Sequence, residues 1–331
     1  MRASHFLAIS LLLTIGGAAG AQTATDGNAQ APALVADGEI ALPDTAGRID
    51  HMAVDLGRRH LFVAELGNGT VDVIDLAARK VIHRIGGLKE PQGIAYEPKS
   101  DRVAVASGSD GTLRLYSAAD FKPLGVVKLG DDADNVRVDG RNGHIVVGYG
   151  DGALAVIDPL TAVKLSEVKL PGHPESFRLS GNKVFVNIPD ARQIAVTGLD
   201  TDRITATWRQ DALHSNFPLI LDDAGHVAVV FRSPARLVLF DALTGKPGAA
   251  ADTCGDSDDL FFDRARNRFY ASCGAGAVDV FSAGDLKPLG RIQTRPGART
   301  SLFVAELDRL FVAERAGLMG HESAILVLQP Q

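Results

Sequence analysis

Residues 48–85 read RIDHMAVDLGRRHLFVAELGNGTVDVIDLAARKVIHRI, and this stretch decides the fold. Three short apolar segments stand out in it: His51–Val54, His60–Ala64 and Thr70–Asp75. A fourth, more polar one follows at Lys80–Ile85. The breaks between them carry Gly, Asn, Asp and charged residues, which favour turns. Four short strands make one small sheet. Such a sheet cannot bury both faces alone, so the rest of the chain must supply its partners.

The rest of the chain repeats it. Val54, followed by Asp55, has counterparts at Tyr96, Val138, Leu179, Leu221, Phe262 and Val304, at spacings of 42, 42, 41, 42, 41 and 42 residues. The second segment returns as Val103–Ala106, Ile145–Gly148, Val184–Asn187, Val227–Val230, Phe269–Ser272 and Leu310–Ala313. The third returns as Thr112–Tyr116, Ala153–Asp158, Gln193–Thr197, Arg236–Asp241, Ala277–Phe281 and Ser323–Leu328. A period near forty residues with four strands per period predicts an all-β, seven-bladed β-propeller over residues 38–331. The last unit reaches Gln331 without a fourth strand, and Gly38–Leu42 (GEIAL) stands ready to complete that blade and close the ring. Closure removes two open sheet edges. A solenoid would need polar capping repeats, and the sequence has none.

The stretch Leu61-Phe62-Val63-Ala64 followed by Val71-Asp72-Val73-Ile74-Asp75 and a Lys-Val strand resembles the YVTN-type repeat of bacterial β-propellers. The resemblance covers roughly residues 38–331 and implies the fold. It implies little about activity, because one fold carries many functions.

Residues 1–21 have the plan of a secretory leader: Arg2, an apolar run over Phe6–Ile15, and Ala19-Gly20-Ala21 as a small-x-small cleavage site. Residues 22–37 are polar and Ala-rich and are expected to be a disordered lead-in. The expected product is a periplasmic or secreted protein, monomeric, with no transmembrane segment in the mature chain. The net charge of −6 disfavours a nucleic-acid groove, which needs clustered Lys and Arg. The chain has two cysteines, Cys254 and Cys273, both placed near one rim of the ring. In an oxidising compartment they are expected to form a disulfide, since their spacing is not that of a zinc motif.

In a propeller the segments leading into the inner strands converge at one mouth of the central channel. Here they are Asp50-His51, Gln92-Gly93, Asp134-Asn135, Glu175-Ser176, Phe217-Pro218, Asp258-Asp259 and Thr300-Ser301, with Asp131, Asp132, His173, His214, Asn216, Asp256 and Arg299 close by. One reading is a divalent-cation site, for Ca²⁺ or Zn²⁺, with Asp50, Asp134, Glu175 and Asp258 as metal ligands. His51, oriented by Asp50, is then the candidate catalytic base. Asn135, Asn216, Arg232 and Arg299 are candidate ligand-binding residues, and Arg299 is also a partner for clustered carboxylates. The plainer reading makes all of these turn and rim residues bonded to nearby backbone. Neither GDDADNVRVD (130–139) nor CGDSDDLFFD (254–263) has the layout of an EF-hand loop. Trp208, the only Trp, is expected to pack between blades.

The sequence has no G-x-S-x-G elbow, H-E-x-x-H, phosphate-binding Walker loop or C-x-x-C-H. That leaves two functions. The first is a binding or scaffold protein whose channel mouth meets a small-molecule ligand or an envelope protein. The second is a metal-dependent hydrolase or isomerase in the style of the lactonase propellers.

Overall fold

Each repeat folds as its pattern requires. The computed structural model describes residues 31–201, 203–317 and 320–331, and in it the repeats form seven four-stranded antiparallel sheets arranged in a ring. The leader and the first part of the lead-in lie outside the described residues. The first blade runs Met52–Asp55, His60–Glu65, Thr70–Asp75 and Lys80–Ile85 from the channel outward. Its register places Met52 opposite Val63, Val63 opposite Asp72 and Asp72 opposite Arg84.

Burial explains why Leu61-Phe62-Val63-Ala64 is a continuous apolar run and not an alternating one. All four are fully buried, because a middle strand has another blade against each face. The outer strand Lys80–Ile85 meets solvent and is correspondingly polar. Seven apolar layers lie between neighbouring blades. Trp208 belongs to one of them. It stacks on Phe240 at 6.2 Å and tilts against Phe185 at 5.7 Å, between the fourth and fifth blades as expected.

The ring closes with the N-terminal strand, which is longer than GEIAL suggests. It spans Leu34–Ala41 and pairs antiparallel with Ala324–Pro330, so that residues 34–37, expected in the disordered lead-in, are strand. Leu34 and Ile40 are the reason: both are buried in the neighbouring apolar layers. The register slips between Ala36 and Glu39, where Gly38 takes φ 88°. Arg309 Nε, 2.9 Å from Asp37, and Arg295 Nη2, 2.8 Å from Glu39, tie the strand down.

Away from the mouth, adjacent blades are stapled by a repeated device. Arg58 donates to Asp55 of its own blade and to Asp101 of the next, both at 2.7 Å. Arg266 does the same with Asp263 at 3.1 Å and Asp308 at 2.7 Å. The disulfide joins Cys254 to Cys273 with Cα atoms 5.8 Å apart. Among the described residues, no helix is long and apolar enough to cross a membrane.

Candidate functional site

The seven segments leading into the inner strands bring Asp50, Gln92, Asp134, Glu175, Phe217, Asp258 and Arg299 around one polar cavity of about 280 Å³. Every blade therefore contributes. The candidate residues His51, Asn135 and Arg232 line it too. Asn216 does not: it donates to Asn187 Oδ1 and the Gln193 carbonyl, both at 3.0 Å, and so joins the fifth blade to the fourth.

The carboxylates divide into two sets. Asp258 sits between two arginines: Arg232 Nη2 donates to its Oδ1 at 2.6 Å, and Arg299 Nε lies 2.9 Å from its Oδ2. Arg232 is itself held by the Ser257 carbonyl at 2.9 Å and lies over the Phe217 ring at 3.5 Å. Burial still outweighs both arginines and keeps the Asp258 carboxyl above its ordinary range. Asp50 pairs with Arg48 at 2.7 Å. In these two acids, guanidinium groups already supply the positive charge.

Asp134 and Glu175 have no arginine partner among the described residues. Asp134 Oδ1 is buried and accepts no hydrogen bond. Burial raises Asp134 to about 6 and Glu175 to about 7, and their mutual repulsion adds to the rise at Glu175. Asn135 connects the two segments by donating to the Glu175 carbonyl at 2.6 Å. His173, whose Nδ1 is 2.8 Å from the Gly150 carbonyl, completes this side of the mouth.

His51 lies between Asp50 and Asp259, with a ring nitrogen 3.7 Å from a carboxylate oxygen of each. Burial alone would lower its pKa, but Asp259, Asp50 and Asp134 outweigh that and raise it to about 10. Carboxylates on two sides thus favour the imidazolium form of His51. Among the described residues, no group of three or more His, Cys, Asp or Glu side chains is placed to hold a metal ion.

Two residues that the sequence reading passed over complete the site. Arg137 and Arg178 lie on adjacent inner strands, Val136–Val138 and Ser176–Ser180, at equivalent places in the repeat. The corresponding residues elsewhere are Ala53, Ala95, Ile220, Phe261 and Phe303. Arginine at two of seven otherwise apolar positions was the available signal. Both line the mouth cavity and also a second cavity of about 370 Å³ further along the channel.

Comparison with known proteins gives the fold independently. A chain in the crystal structure of a mitotic checkpoint complex is similar over 97% of this chain and 98% of its own, with TM-score 0.75 and 10% identity. At that identity the likeness shows the architecture alone. No protein-family model and no curated protein matches the chain. The chain is thus a seven-bladed β-propeller, a fold often used as a binding scaffold.

Proposed function

We propose that the protein is an exported binding protein that holds a small, polar organic ligand in the mouth of its channel. The observation that carries this reading is the cavity of about 280 Å³ in which charged groups of both signs converge from around the ring. A concave site with convergent polar groups suits a ligand, and a lining that is polar save for Phe217 and Pro218 suits a polar one. The sequence of residues 1–21 supports export, and the disulfide fits an oxidising compartment. Kinship with the YVTN-type repeat is part of the same reading and rests on LFVA (61–64) and VDVID (71–75).

The metal-assisted, lactonase-style alternative draws less support from the geometry. A cation at Asp258 or Asp50 would have to displace arginines at 2.6–2.9 Å. The test is a thermal-shift screen of small polar compounds, with Ca²⁺ and Zn²⁺ after chelation as a separate arm. A ligand at a hundred times its Kd adds about 2.7 kcal/mol. A compound that raises Tm for the wild type but not for Glu175→Gln establishes the site. A shift with a divalent ion alone moves the assignment to the metal-dependent enzyme. No shift with any compound or ion sinks the reading.

A further inference from the structure

We propose that Arg137 and Arg178 form an oxyanion-binding subsite at the floor of the mouth cavity, so that the ligand carries a carboxylate or phosphate group inserted head-first into the channel. This deepens the binding-protein reading and rests on it. Both arginines have unused donor capacity. A guanidinium has five N–H donors in a rigid fork. Arg178 gives one, to the Phe177 carbonyl at 3.0 Å. Arg137 gives two, to the Val136 carbonyl at 2.8 Å and Asn135 Oδ1 at 2.9 Å. Among the described residues, neither forms a salt bridge, although arginines elsewhere around this mouth do.

The arrangement is also costly. Two guanidinium groups from adjacent strands share a narrow channel where the repeat otherwise places apolar side chains. Burial, aided for Arg178 by the charge of Arg137, pulls both guanidinium groups below their ordinary affinity for protons. Asp259 is the carboxylate whose charge acts most on both, but it is engaged elsewhere. Its Oδ2 accepts from the Ser301 N–H at 2.7 Å and faces His51 at 3.7 Å. A bound oxyanion offsets the repulsion between the two arginines and fills the fork bidentately.

The position of the pair fits this role. His51, Arg137, Arg178 and Asp259 are the residues common to the mouth cavity and the second cavity beyond it. An anionic head at this narrowing leaves the remainder of a ligand in the mouth beside Asp134 and Glu175. Those two acids fit an ammonium or hydroxyl group there, which makes a small zwitterion or a polyol acid the class of ligand expected.

The test uses inorganic phosphate and succinate as probes, measured by calorimetry and thermal shift on the wild-type protein, Arg178→Met, Arg137→Gln and the surface control Arg141→Gln. Losing a charge-assisted contact should weaken oxyanion binding about ten- to a hundredfold in the two channel variants, with the control unchanged. Arg178→Met should also match or exceed the wild-type Tm without anion. The probe that binds more tightly tells a phosphate from a carboxylate ligand. Wild-type protein that binds neither probe overturns the proposal, as does binding that Arg178→Met and Arg137→Gln leave intact. If the Proposed function screen finds a ligand that is sensitive to Glu175→Gln but indifferent to both arginines, this proposal fails while the binding-protein reading stands. If nothing binds in either experiment, both fail.

Discussion

Arg232, at the end of a second strand, reaches across to the next blade and donates to Asp258 Oδ1 at 2.6 Å while lying 3.5 Å above Phe217. This contact joins the fifth blade to the sixth at the channel mouth. It also commits Asp258, one of the site's carboxylates, to holding the wall together.

Asp258 is largely buried, with 14% of its side chain exposed, and it neutralises Arg232 and Arg299 together. Asp258→Ala removes the buried carboxylate between them and leaves the more exposed Asp256, 3.0 Å from Arg299 and 3.4 Å from Arg232, as their remaining acid; it should cost about 1–3 kcal/mol in urea unfolding. The double variant Asp258→Ala with Arg232→Ala should lose less than the two single losses added. Strict additivity would mean that the pair is not coupled.

His51 makes stability depend on alkaline pH. Its folded pKa of about 10 stands above the ordinary 6.5. The protonated form is the favoured one, so its contribution is complete below pH 6.5 and fades as pH rises through 10. Urea midpoints at pH 6, 8 and 10 should fall for the wild type and change less for His51→Gln. Parallel curves would show that His51 is not held as a cation.

Glu175 shifts stability in the same direction with pH, but at lower pH and through its neutral form. Burial and Asp134 raise it to about 7 from an ordinary 4.5, so the charged form is the disfavoured one. The wild type should gain stability as pH falls from 7 toward 4.5. Glu175→Gln should be more stable than the wild type at pH 8, by on the order of 1 kcal/mol, and should converge with it near pH 4.5. A less stable variant at pH 8 would show that the carboxylate is compensated.

Gly93 lies where a side chain cannot fit. A Cβ there would fall 1.6 Å from the Asp134 carbonyl oxygen. Gly93→Ala should push the Asp134 segment outward and weaken mouth binding while the ring stays folded. Circular dichroism reads the fold and a titration reads the site. Unchanged ligand affinity would mean that the mouth tolerates this shift.

The disulfide closes a loop between residues 19 apart in sequence. Loop entropy of that size corresponds to about 3 kcal/mol. Reduction, or Cys254→Ala with Cys273→Ala, should lower Tm by several degrees. An unchanged Tm would place the disulfide outside the cooperative unit.

The architecture was legible because each of its causes is local and repeated. Strand segments and turn residues recur in seven units spaced 41–42 residues apart, and the short GEIAL segment showed how the ring closes. The cysteine pair was legible for the same reason, since both ends of the bridge belong to one blade. The site was legible only as a position, the mouth, and as a list of polar residues near it. Which of those residues meet was a matter of convergence. Asn216 and Asn135 look alike in sequence, yet one is buried against Asn187 and the other reaches Glu175.

Arg137 and Arg178 are 41 residues apart, and only the ring places them on adjacent inner strands around one channel. The charge state of His51 likewise depends on Asp259 and Asp134, which belong to other blades. Hydrogen-bonded strands and their period are written into neighbouring residues, so the sequence by itself determined the propeller. Electrostatic fields act through space between blades, so only the tertiary structure decided which acids meet arginines, which carboxylates surround His51 and where, among the described residues, two arginines stand without a carboxylate in a salt bridge.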